Sequence, residues 1–205
     1  MKLEYRAFEG AELRIDDAEQ TKRISGYAAV FNGLSENLGG FREKIAPGAF
    51  AKTIQTADVR FLLNHDGLPL ARTKSGTLKL EEDAAGLRFD AEVEAADPDV
   101  QRILPKMQRG DLNQMSFGFY VKKDGWDKTN PQELVRTLYE VELFDISLVT
   151  FPAYTQTGAH IRSLKDVYDS YLASLQTQEE ANKIGRRQAL QAHRERKIKI
   201  GGYKI

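Results

Sequence analysis

Residues 114–123 read QMSFGFYVKK. Side chains alternate along a β-strand, so Met115, Phe117 and Phe119 share one face while Ser116 and Gly118 point to the other. The second long segment of this kind is TLYEVELFDISLVTF, residues 137–151. Alternation there puts Phe144, Ile146 and Leu148 on one side, with Asp145 and Ser147 opposite. The polar stretch DGWDKTNPQE (124–133) joins the two into a hairpin. A turn centred on residues 130–131 brings Ser116 within a residue or two of Asp145, on the polar side of the sheet. A carboxylate in so apolar a strand is costly without a partner, unless it sits at an edge and faces water.

Outward from this hairpin the chain is mostly short strands. RISGYAAVF (23–31) alternates, and FREKIAPGAFAKTI after it predicts a short helix bearing Phe50 and Ile54, punctuated by Pro47 and Gly48. RFLLNHD (60–66) is a strand that ends on a histidine. TLKLEED (77–83) and LRFDAEVE (87–94) form a hairpin across Ala84, Ala85 and Gly86. Then the period changes: Asp97 as N-cap, Pro98 at the first helical position and Val100, Ile103, Leu104 and Met107 at helical spacing predict a helix. Gly110 ends it, and Pro105 should kink or shorten it. The fold class is mainly β with a few helices (α+β).

Bulk numbers bound what this chain does. Its 205 residues fit one domain and an appendage. The formal net charge is zero, yet residues 181–205 carry eight Lys or Arg against the single acid Glu195, so that segment is +7 and residues 1–180 are −7. There is no cysteine, which excludes disulfides, thiolate metal sites and a cysteine nucleophile. No signal-peptide core is visible near the N-terminus, and no uncharged apolar run reaches the ~18–20 residues that span a bilayer, so neither export nor membrane insertion is expected.

Ser163 and Asp166 read as a capping pair, and Leu164, Val167, Tyr168, Tyr171, Leu172 and Leu175 make one apolar helical stripe. Residues 176–205 turn polar and basic and are expected to be weakly folded. The domain reading is therefore 1–162 as the body and 163–205 as a helical, basic extension. That extension could contact nucleic acid, tether the protein to a partner or simply be solvated.

The chain holds three histidines, and His65 alone ends an apolar strand. Such a residue is either a structural hydrogen-bonding group or a general base. A serine nucleophile needs a base, and the base needs a third group to fix its tautomer. His65, Ser116 and Asp145 are of the required types, although their spacing alone does not specify a triad. A metal-dependent hydrolase built on His65 and Asp66 would need further histidines that the chain lacks.

Five stretches in order, GYAAVFN, FREKIAPGAF, LLNHDGLPLARTKSGTLKLEEDAAGLRF, GDLNQMSFGF and VELFDISLVTFPAY, resemble the tailed-phage prohead proteases, head-maturation serine proteases similar in fold to herpesvirus assemblin. The resemblance spans roughly residues 23–154 and implies a closed, herpesvirus-protease-like β-barrel with a C-terminal helical extension. It implies His65 as general base, Ser116 as nucleophile and Asp145 as the third member, with Asp66, Glu140, Glu142 and His160 as other candidates for that place. Gly118 would leave room for a substrate chain, or mark a bulge or bend. The family further implies an endopeptidase without cofactor or metal. It would cut the major capsid protein and its scaffolding segment, and its own chain, inside the assembling prohead in the host cytoplasm, and self-association is a further expectation. The rival reading is a non-catalytic scaffolding protein that binds capsid subunits.

Overall fold

A computed structural model describes residues 2–8, 13–17, 21–127, 129, 133–151 and 158–201. In chain order the elements are β1 (Leu3–Phe8), β2 (Arg14–Asp17), β3 (Thr21–Val30), β4 (Arg42–Ile45), α1 (Thr53–Thr56), β5 (Arg60–Leu63), β6 (Asp66–Arg72), β7 (Leu78–Glu82), β8 (Gly86–Glu94), α2 (Pro98–Gln108), β9 (Gln114–Asp127), β10 (Val135–Val149) and α3 (Gly158–Gly201). The protein is mainly β with a few helices.

One sheet has the order β1-β9-β10-β5-β6, with β4 added beside the start of β10; the other has the order β2-β3-β8-β7. β10 runs antiparallel to β9 and parallel to β4 and β5. The closed barrel implied by the resemblance is not found among the described residues: the strand pairings give these two sheets. Aromatic rings join them, with Phe61 and Phe89 centroids 5.3 Å apart and Phe31 and Phe50 6.2 Å apart. Phe117 continues the cluster, 5.6 Å from Phe50 and 4.9 Å from Phe119.

The central hairpin forms, in a slightly different register from the one expected. Ser116 lies opposite Ser147 and Asp145 opposite Gly118, so the true pairing is shifted by two residues and keeps Asp145 on the expected face. The ladder also reaches further into the presumed loop, pairing Trp126 with Arg136 and Asp127 with Val135. Trp126 supplies the reason, since its ring packs 5.0 Å from Phe41 and lies under the Arg136 guanidinium at 5.8 Å.

A register slip between Leu143 and Asp145 is a β-bulge, and it corrects the expected placement of Phe144. Leu143 takes the core position at 2% exposure while Phe144 is 42% exposed, packed edge-on against Tyr120. The extra residue lets Leu143 face the core and Asp145 the opposite side, which strict alternation forbids.

Four strands, β1, β2, β4 and β6, have no counterpart in the sequence reading. β1 carries Glu4 and Arg6 into the protein, where Arg6 pairs with Glu4 and Glu43 at 2.7 Å each and Arg136 bonds both carboxylates. β4 occupies the REKI of the FREKIAPGAF stretch. The short helix after it begins only at Thr53, so the fully buried Phe50 sits in the turn before it.

α2 follows its signals closely. Asp97 Oδ1 accepts the Asp99 N–H at 2.8 Å, Pro98 opens the helix, and Gly110 with φ of 81° follows its end. Pro105 lies inside the last turn, so α2 stops at Gln108.

Residues Leu164–Ile205 form a compact unit separate from Met1–Ser163. In the expected 163–205 extension α3 is helical as far as Gly201, beyond the apolar stripe that ends at Leu175. Gln, Glu, Ala, Lys and Arg are good helix formers, and Glu179 and Lys183 stand at a favourable i, i+4 spacing. Side chains 176–193 are all exposed, so local propensity rather than burial holds this part of the helix.

Candidate active site

The strand RFLLNHD ends in a tight turn that carries its histidine. Leu63 pairs with Asp66 across β5 and β6, leaving Asn64 and His65 as a two-residue turn with φ of 53° and 59°. Positive φ at both central positions is the type I′ pattern, in which asparagine is favoured first and glycine second. Histidine in the second place is strained, and the protein holds it by stitching the turn to β10. The Asn64 N–H donates to Leu148 O at 2.8 Å, the Thr150 N–H donates to Asn64 Oδ1 at 2.9 Å, and the His65 N–H donates to Ser147 Oγ at 3.2 Å. At the far end of this hairpin Arg72 forms an ion pair with Asp58.

Neighbouring strands β9, β10 and β5 thereby gather three side chains. His65 Nδ1 is 2.6 Å from Asp145 Oδ1, and His65 Nε2 is 2.7 Å from Ser116 Oγ. A carboxylate only accepts, which places the imidazole proton on Nδ1 and leaves Nε2 to accept the Ser116 hydroxyl proton. Ser116 and Asp145 are buried, at 0% and 1% exposure.

Ser147, not singled out for a role by sequence, completes the arrangement. Its hydroxyl donates to Asp145 Oδ1 at 2.8 Å while its oxygen accepts the His65 N–H. The signal was available, since Ser147 shares the polar face of its strand with Asp145.

Gly118 lies opposite the bulge between Leu143 and Asp145, the second of its two expected readings. A Cβ there would lie 2.5 Å from Asp145 Oδ2 and 2.9 Å from Tyr5 Cε1, so the missing side chain makes room for the carboxylate and the Tyr5 ring rather than for a substrate. Tyr5 itself packs on His65 with ring centroids 4.3 Å apart.

The other candidates for the third place bond elsewhere. Asp66 is exposed and its Oδ1 accepts the Gly67 N–H at 2.8 Å. Glu140 pairs with Lys52 at 2.8 Å, and Glu142 with Lys122. The His160 side chain lies outside the described residues. Among the described residues no group of three or more His, Asp or Glu side chains is arranged to hold a metal ion. Beside the turn, Leu63, Asn64, Asp66, Leu68, Leu70 and Ile103 line an open cleft.

The family model described as caudovirus prohead serine protease matches residues 9–170. The chain belongs to that family. The prohead protease of Enterobacteria phage HK97 is 29% identical over 165 residues, covering 78% of this chain and 68% of that protein. No solved structure matches, and the expected likeness to herpesvirus assemblin is not shown. As a prohead protease the chain is a serine peptidase of phage capsid maturation, and none of its described helices is long and apolar enough to cross a membrane.

Proposed function

We propose that this prohead protease cuts capsid and scaffold polypeptides, and its own chain, with Ser116 as nucleophile, His65 as general base and Asp145 as the group that orients His65. The reading rests on one observation: an unbroken hydrogen-bond chain runs from Ser116 Oγ through both ring nitrogens of His65 to Asp145. Ser116 Oγ attacks the peptide carbonyl as Nε2 takes its proton, and the resulting imidazolium is stabilised by Asp145. His65 then protonates the leaving amine, and the acyl-enzyme is hydrolysed by water activated at the same nitrogen. Because Ser116 and Asp145 are buried, water is kept from this chain, and a polypeptide must displace what covers Ser116 before Oγ can react. The reaction belongs inside the assembling prohead, in the host cytoplasm, where its substrates are concentrated.

Co-expression with the cognate capsid polypeptide tests the proposal. Wild-type protein should shorten the capsid polypeptide on a gel, and Ser116→Ala should leave it intact while keeping the wild-type unfolding temperature. Full processing by Ser116→Ala would remove Ser116 as nucleophile. An intact capsid polypeptide with both proteins would favour a scaffolding role.

A further inference from the structure

β1 is an edge strand paired antiparallel to β9, with Tyr5 opposite Gly118 and Ala7 opposite Ser116. Directly opposed residues share a face, so Tyr5 lies on the side of the sheet that carries Ser116 and Asp145. Its ring centroid is 4.3 Å from that of His65, with the planes tilted by 55°. The ring also fills the space over Gly118 next to Asp145 Oδ2, an oxygen with no hydrogen-bond partner among the described residues.

The two neighbours of Tyr5 point the other way. Glu4 and Arg6, at 6% and 5% exposure, are held in the buried network with Glu43 and Arg136. Alternation along one short strand therefore clamps the backbone on one face and lays an aromatic ring on the imidazole on the other. Burial, with Asp145 and Tyr120 adding to it, raises the Tyr5 phenol above its usual value, so the residue stays neutral and acts through its ring.

On the reading of His65, Ser116 and Asp145 given above, we propose that Tyr5 is a positioning residue of the protease, whose ring holds the His65 imidazole between Asp145 and Ser116 and screens the His65–Asp145 bond from water. The N-terminal strand is then part of the active site, although it contributes no group to the chemistry. Loss of the ring frees the imidazole to swing away from the line of attack, which lowers turnover without altering how substrate binds.

Steady-state cleavage of a peptide carrying the cognate capsid cleavage site separates the possibilities. Tyr5→Phe keeps the ring and should match wild type. Tyr5→Leu and Tyr5→Ala should lower kcat by ~10²-fold with KM unchanged, the scale of loss for a misplaced reacting group. Leu3→Ala, on the same strand, should lower the unfolding temperature yet retain kcat. In an Asp145→Asn background, Tyr5→Leu should cost far less than it does in wild type, because the pair it positions is already impaired. Tyr5→Leu, which keeps apolar bulk, carries the test should Tyr5→Ala fail to fold. Wild-type kcat in Tyr5→Leu, with Ser116→Ala inactive, would overturn the role of Tyr5 and leave the protease reading standing. An equal loss in Tyr5→Phe, or in Leu3→Ala, would overturn it as well, pointing to the hydroxyl or to general loosening of the strand. A wild-type protein that cleaves nothing would overturn both.

Discussion

Asn64 and His65 sit in the left-handed region, where non-glycine residues are uncommon, and a strained conformation of this kind costs about 1–3 kcal/mol per residue. The cost is offset by bonds that run from this turn to β10, and Ser147 is the joint between the strained backbone and Asp145. Ser147→Ala should thus affect two properties at once: the half-buried His65 N–H loses its acceptor, at about 1 kcal/mol in stability, and Asp145 loses a donor, which lowers kcat. Thermal unfolding and peptide cleavage of one preparation would check both. Asp145→Asn should lower turnover by ~10³–10⁴ through the wrong imidazole tautomer. Asp66→Asn should cost far less, because Asp66 faces solvent. An inactive Asp66→Asn would reassign the third residue. Gly118→Ala should also disable the enzyme, since its Cβ would meet Asp145 Oδ2 at 2.5 Å. Residue types and alternation offered Ser116, His65 and Asp145 only as candidates, and the family resemblance gave them their roles. The left-handed turn was not legible in the sequence, because the Asn-His pair between strands lacks the glycine that usually announces one.

At the scale of elements, β1 shows why an alternating pattern can mislead. LEYRAF draws no strand assignment, and its charged Glu4 and Arg6 are both buried, each neutralised by a residue distant in sequence. The partners Glu43 and Arg136 come from β4 and β10, and no local signal connects them to β1. The bulge at Phe144 is of the same kind, since the sequence carries no mark of the register slip that turns this ring outward. Removing one member of a buried ionic network leaves uncompensated charge, so Arg136→Met should destabilise the protein by about 3–5 kcal/mol in denaturant titrations at neutral pH. The same network predicts acid sensitivity. Burial alone would raise the Glu4 carboxyl, but Arg6 and Arg136 outweigh it and hold the group below its usual 4.5. A depressed carboxylate contributes stability that is fully present above the unfolded value and is lost as pH falls through the folded one. Unfolding temperature should therefore drop as pH is lowered below 4.5, and the drop should be shallower in Glu4→Gln.

At the scale of the whole molecule, strand periodicity disclosed the β-rich body and the two hairpins, while the division into two sheets was hidden because strand partners such as β10 and β5 lie far apart in the chain. The extension has no core to announce it, and helix propensity alone carries α3 to Gly201. A helix whose side chains 176–193 are all exposed has little tertiary support, so its turns open locally at small cost and become substrates for proteolysis. Its charge, +7 over residues 181–205 against −7 for the rest, suits it to an acidic partner in the forming shell, or to a fold-back on its own body, from which cleavage would release it. Active protein should therefore lose part of residues 164–205 during storage or assembly, and Ser116→Ala protein should keep them. Protein truncated after Ser163 should still fold and cleave a peptide, because residues Met1–Ser163 form their own compact unit. Intact-mass spectra of both purified proteins over time decide the matter. Equal, undiminished masses would show that the tail is not cut by the enzyme, and loss in Ser116→Ala as well would assign the trimming to another protease.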